Sequence, residues 1–133
     1  MNFEYSLVIK EHHLDSYGHV NNATYLSLFE EVRWEAITSR GYGYQKVHET
    51  GLGPIVLEVG LKFLKELKLR EKIIITLEVE SYEGKIFKLR QKMIKQDGEI
   101  AADAVFTGAF FDLKNRKLIP PNAEWLKGIG LNS

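Results

Sequence analysis

Residues 3 to 11, FEYSLVIKE, alternate so that Phe3, Tyr5, Leu7 and Ile9 share one face, the period-2 signature of a half-buried strand. After a polar stretch, HHLDSYGHVNN, the period lengthens, and Tyr25, Leu28, Phe29, Val32 and Ala36 recur at helical spacing to about Arg40. Asn21 or Asn22 suits the N-cap of this helix, because a short side-chain oxygen can accept one of the first free N–H groups; Gly41 and Gly43 suit its end. Segment 44 to 53, YQKVHETGLG, reads as a turn or short helical piece. Extended runs are predicted at about 55 to 67, 72 to 82, 86 to 96 and 99 to 112. Ile73, Ile75, Leu77 and Val79 share a face of the second run, and Phe87, Leu89 and Met93 share a face of the third. The fourth alternates small and aromatic residues, Ala102, Ala104, Phe106, Gly108 and Phe110. Glu83-Gly84 and Asp97-Gly98 punctuate these runs as hairpin turns, and Pro120-Pro121 leads into a short tail.

This order, strand, long helix, then four strands on short turns, predicts an α+β chain in which a five-stranded antiparallel sheet wraps around one long helix. Residues 1–133 are expected to form one domain. A sheet of this kind leaves long apolar edges, which favour pairing with a second copy, so a homodimer or homotetramer is expected.

Charge narrows the partners. Eighteen Lys plus Arg balance eighteen Asp plus Glu, so no long-range field gathers nucleic acid or an anionic membrane, and neither partner is expected. The chain has no Cys, which excludes disulfides, thiol nucleophiles and thiolate metal sites and suits the cytoplasm. The N-terminal MNFEYSLVIK lacks a signal-peptide pattern, and no run approaches the roughly 20 apolar residues of a membrane span, so a cytoplasmic location is expected.

The unusual residues concentrate before the helix: His12, His13, Asp15, Gly18, His19, Asn21 and Asn22. A carboxylate one short loop from a helix N-terminus is chemically suggestive. It can attack or activate water, while the free N–H groups and the helix dipole receive the negative charge that develops on a carbonyl oxygen. Gly18 would let the backbone turn tightly. The same loop also describes a plain capping segment, and spacing alone does not separate the two readings.

The string DSYGHVNNATY, followed by LSLFEEVRWE, resembles the motif of the 4-hydroxybenzoyl-CoA thioesterase-like branch of hot-dog-fold acyl-CoA thioesterases. The strand AADAVFTGAFFDL and the closing Lys114 to Lys117 with Pro120-Pro121 extend the resemblance over nearly the whole chain. One departure is KELKLREK at 65 to 72, where the family often carries a Pro and a Gly-Asp pair. The resemblance implies a hot-dog fold and hydrolysis of an acyl-CoA thioester, without metal or other cofactor. It implies that Asp15 is the catalytic carboxylate, as nucleophile or as base for water, and that the backbone N–H of Asn22 polarises the thioester carbonyl. Gly18, His19, Val20, Asn21 and Tyr25 would then shape the substrate pocket. Alternatives are the same chemistry on acyl carrier protein thioesters, and a module that binds acyl thioesters without turnover.

Other polar residues receive plainer readings. His12 and His13, as neighbours on a strand, would point to opposite faces, which argues against a metal site with His19. His48 is expected to face solvent. Glu30, Glu31 and Arg33 read as helix-surface or structural ion-pair residues, and Glu58 as exposed on the outer face of the sheet. Lys62, Lys65, Lys68, Arg70, Lys88, Arg90 and Lys92 could meet CoA phosphates, but a row of cations is also ordinary protection of a strand.

Overall fold

A computed structural model of the chain describes residues 2–131. Strand β1 (Phe3–Val8) leads through a 3₁₀ turn (Glu11–His13) and the polar loop into helix α1 (Asn22–Ser39). Helix α2 (Tyr44–Thr50) precedes β2 (Leu52–Phe63), β3 (Lys72–Glu83), β4 (Ile86–Lys95), β5 (Ile100–Asp112), β6 (Lys117–Ile119) and helix α3 (Ala123–Ile129). The sheet runs β1-β3-β4-β5-β2, and every paired neighbour is antiparallel. Strand β6 pairs with residues 110–112 of β5, carrying on the ladder where β4 stops.

Alternation decides which face is buried. Ile73, Ile75 and Leu77 of β3, Phe87, Leu89 and Met93 of β4, and Ala102, Ala104, Phe106 and Phe110 of β5 form one apolar surface. The stripe of α1, Tyr25, Leu28, Phe29, Val32, Ala36 and Ile37, completes the same core. Phe29 meets Phe106 edge-on at 5.9 Å between ring centroids. Interrupted register at Val56/Glu58, Val79/Ser81 and Met93/Ile94 marks bulges, which increase local twist and help the sheet bend around the helix.

The expected arrangement of an antiparallel sheet around one long helix is present, with two corrections. The sheet has six strands, not five, and the predicted tail carries both β6 and α3. Asn122 caps α3 by accepting the Trp125 N–H, and Trp125 is buried, stacked on Phe110 with ring centroids 5.2 Å apart. This capping signal is short, and a single buried aromatic supplies little periodicity. The first strand also ends at Val8, so His12 and His13 lie on the 3₁₀ turn; their rings sit 4.1 Å apart rather than on opposite faces.

The unusual segment at 65 to 72 is firmly anchored. Leu67 is buried, the Arg70 N–H donates to the Ile9 carbonyl, and Arg70 Nη2 grips both Glu11 carboxylate oxygens at 2.6 and 2.9 Å. That anchoring places Glu66 beside the polar loop that precedes α1.

Candidate active site

Leu14 and Val20 form an isolated antiparallel bridge that closes the loop between them. Inside it the Asp15 N–H donates to the His19 carbonyl at 2.8 Å, and the Gly18 N–H donates to the Asp15 carbonyl at 3.0 Å. Gly18 turns at φ +77°, a conformation that side chains disfavour but glycine adopts freely. Asp15 Oδ1 accepts the N–H groups of Tyr17 at 2.9 Å and His19 at 3.2 Å. The carboxylate is therefore oriented through one oxygen, and Oδ2 has no hydrogen bond among the described residues.

Helix α1 starts immediately beyond this loop. Asn21 is its N-cap: the side-chain oxygen accepts the Ala23 N–H at 2.9 Å, and the backbone carbonyl accepts from Thr24 and Tyr25. The N–H of Asn22, the first helical residue, has no acceptor among the described residues, as expected for an N–H that the helix itself cannot satisfy. Val20, Asn22 and Tyr25 line an open hollow of about 280 Å³ with Phe63, Leu64 and Glu66. Tyr25 is buried and meets Phe63 edge-on at 5.0 Å; burial raises its phenol above the usual range, reinforced by Glu66 and Glu71. Asp15, Gly18, His19 and Asn21 do not line this hollow, although His19 Nε2 reaches Glu66 Oε1 at 3.4 Å across its rim.

A second cavity, of about 250 Å³, lies farther along α1. Its wall is apolar, built from residues such as Trp34, Ile55, Leu89 and Phe106, and Trp125 and Ile129 of α3 help line it. Arg33 supplies its principal polar group and corrects the expected surface position: the guanidinium is mostly buried, 4.1 Å over the Phe106 ring, with no ion pair among the described residues. Its Nη1–H donates to Gln91 Oε1 at 2.9 Å, and Gln91 Nε2 donates to the Phe29 carbonyl at 3.1 Å. Burial pushes the Arg33 guanidinium down to about 10, with Glu30 opposing the shift, so it remains charged at neutral pH. Glu30, Glu31, His48 and Glu58 are exposed, as expected.

Neither Gln91 nor Trp125 was singled out from sequence, yet each left a trace. Gln91 falls in phase with Phe87, Leu89 and Met93, so a polar residue interrupts a buried row and needs a partner there. Arg33 follows Phe29 by one helical turn and precedes Ala36 by three residues, at the margin of the apolar stripe. Among the cations weighed for CoA phosphates, Arg70 is paired with Glu11, Arg90 with Asp103 and Lys65 with Glu99.

Residues 9–129 match the thioesterase-like superfamily. The chain is 30% identical over 118 residues to the long-chain acyl-CoA thioesterase FadM of Escherichia coli, covering 87% of this chain and 88% of that protein. Among solved structures it is similar to YbaW, a probable thioesterase of Escherichia coli, with a TM-score of 0.82 at 27% identity and 95% coverage of both chains. It also resembles SAV2348 of Staphylococcus aureus in complex with CoA, with a TM-score of 0.89 over 97% of this chain and 82% of that one; at 20% identity this likeness speaks for the fold alone.

Proposed function

Because the chain belongs to the thioesterase-like superfamily, we propose that it hydrolyses acyl-CoA thioesters with Asp15 as the catalytic carboxylate and the Asn22 N–H as the donor to the thioester carbonyl. The observation that carries this reading is the pairing, across one short loop, of a carboxylate held, among the described residues, by Oδ1 alone with a helix-start N–H that has no acceptor there. The carbonyl oxygen would lie at the Asn22 N–H, where the helix dipole favours the negative charge that forms on attack. Asp15 Oδ2 then has two routes. It attacks the carbonyl carbon, the C–S bond breaks, CoA leaves as the thiolate, and water hydrolyses the resulting anhydride; or it takes a proton from a water that attacks directly. A thiolate with an ordinary pKa of about 8.5 leaves without help from a general acid, so the reaction needs no second proton donor. In this reading Gly18, His19, Val20 and Asn21 shape the loop and Tyr25 backs the pocket.

The site is completed by a second copy. Strand β2 is a sheet edge of 12 residues, paired on one side only, and Val56, Leu57, Val59 and Phe63 on it are each 39 to 50% exposed. Such an edge invites antiparallel pairing with itself. Pairing across the middle of the strand sets the Phe63 end of one copy, beside its Asn22, against the Pro54–Val56 end of the other, which lines the Arg33 cavity. The acyl chain would then pass from the catalytic loop of one copy into the cavity of its partner.

The test uses thiol release from a panel of acyl-CoAs with wild type, Asp15→Asn and Asp15→Ala. Asn keeps the oxygen that accepts from Tyr17 and His19, so Asp15→Asn should retain the loop and melting temperature of wild type while losing at least about a hundredfold in kcat, the scale for removing a positioned acid–base group. Full activity in Asp15→Asn, or no hydrolysis of any acyl-CoA by the wild type, overturns the proposal.

A further inference from the structure

The cavity beside α1 is lined mostly by apolar side chains, with Arg33 and Glu30 its charged residues, and the mostly buried Arg33 guanidinium is fixed in place. Gln91 and Phe106 together dictate its orientation: Gln91 takes one Nη1–H, the ring of Phe106 supports the guanidinium plane, and Gln91 is itself anchored to the Phe29 carbonyl of α1. An arginine carries five N–H donors, and among the described residues only one is used. Holding a charge away from water is costly unless its donors are matched, so a pocket built only for hydrocarbon would be expected to place Leu or Met here. Arg33 thus brings unused donors to a largely apolar space, the arrangement by which apolar sites fix a small number of polar ligand atoms.

Resting on the reading of this cavity as the acyl pocket, we infer that Arg33 is a specificity-determining residue that selects acyl thioesters bearing a neutral oxygen, hydroxyl or oxo, on the acyl chain. A neutral acceptor fits better than a carboxylate because Glu30 lines the same cavity, so the lining already balances one cation with one anion. The cavity, of about 250 Å³, has room for a substituted chain. An unsubstituted chain would leave the guanidinium donors facing methylenes, and that loss is felt as lower kcat/KM.

The experiment compares octanoyl-, decanoyl-, dodecanoyl- and tetradecanoyl-CoA with their ω-hydroxy, ω-oxo and ω-carboxy counterparts. At the best-fitting length the ω-hydroxy or ω-oxo substrate should exceed its unsubstituted parent about ten- to a hundredfold in kcat/KM, the range of a hydrogen bond to a charged donor. In Arg33→Met, which keeps the length and loses the donors, the ratio of kcat/KM for the ω-hydroxy or ω-oxo substrate to that for its unsubstituted parent should fall to about one, whatever the absolute rates; Arg33→Lys should restore part of the preference. If the wild type prefers unsubstituted or ω-carboxy chains at every length, or if Arg33→Met keeps the preference, the inference is overturned even though thioesterase activity stands. Absence of hydrolysis with all substrates would instead remove the catalytic proposal beneath it. Wild-type selectivity decides the matter even if the variants fail to fold.

Discussion

Arg90 and Asp103 sit opposite the core, on the outer face of β4 and β5, joined by Nε to Oδ1 at 3.1 Å and Nη2 to Oδ2 at 2.7 Å. The Arg90 hydrogen bond, with its charge, holds the Asp103 carboxyl below its ordinary value. A carboxyl with a lowered folded-state pKa adds stability above its unfolded value, and that stability is lost as pH falls through the folded one. Asp103→Asn should therefore be less stable than wild type at neutral pH, by about 1 kcal/mol for a partly exposed pair, and the difference should close in acid. Urea titrations at neutral and acidic pH read this directly, and an equal gap at both would show that the charge is irrelevant. Arg33 stands in contrast. Its direct contacts among the described residues are a neutral amide and an aromatic face, with Glu30 acting on it only through its charge, so it gains orientation more than charge compensation.

At the scale of the element, α3 does more than end the chain. Seven residues long, it is too short to be stable alone, and it is held by Trp125, whose Nε1–H donates to the Tyr82 hydroxyl at 2.9 Å and whose ring lies parallel to Phe110 and edge-on to Tyr42. The same helix closes one wall of the Arg33 cavity, so packing at the end of the chain and the shape of the pocket are one feature. Trp125→Ala should cost about 3–5 kcal/mol, the usual range for truncating a buried aromatic, and Trp125→Phe clearly less. A denaturation midpoint unchanged in Trp125→Ala would mean that α3 docks without its anchor. Gly108 shows the complementary constraint in β5: a Cβ there would meet the Ile55 carbonyl at 2.6 Å and the Phe87 ring at 2.5 Å, so the close approach of β2 and β4 requires a residue without a side chain.

For the whole molecule, the edge of β2 sets the question of assembly. Among the described residues its outward hydrogen-bonding groups have no partner strand, and Val56, Leu57, Val59 and Phe63 on it are exposed. With the proposed pairing, wild type should sediment as a dimer or larger assembly at micromolar concentration. Leu57→Lys combined with Val59→Lys should shift it toward monomer, retain the circular-dichroism spectrum of the fold, and lose most thioesterase activity. A wild type that is monomeric while fully active would remove the composite site. Further association, dimer to tetramer, needs a second contact, and the groove beside Ile74 and Ile94 on the other side of the sheet is open to solvent.

Local patterns carried much of this molecule. Period-2 and period-3.6 repeats located α1 and the four long strands after it to within a few residues, because each must bury one face continuously. The motif around Asp15, Gly18 and Asn21–Asn22 marked the loop and the helix start, since turn geometry and capping are short-range chemistry written in adjacent residues. Long-range partners were a different matter. Whether Arg33 faced water or core depended on Gln91, 58 positions away, and on Phe106 of another strand. The place of Trp125 depended on Tyr82, 43 positions away, and on Phe110. The sequence by itself determined α1 and the long strands, and it marked the polar loop before α1 and the chemistry proposed for it. Only the tertiary structure decided where the buried charge lies and what closes the cavity, because burial belongs to surfaces that meet only after the sheet has wrapped around the helix.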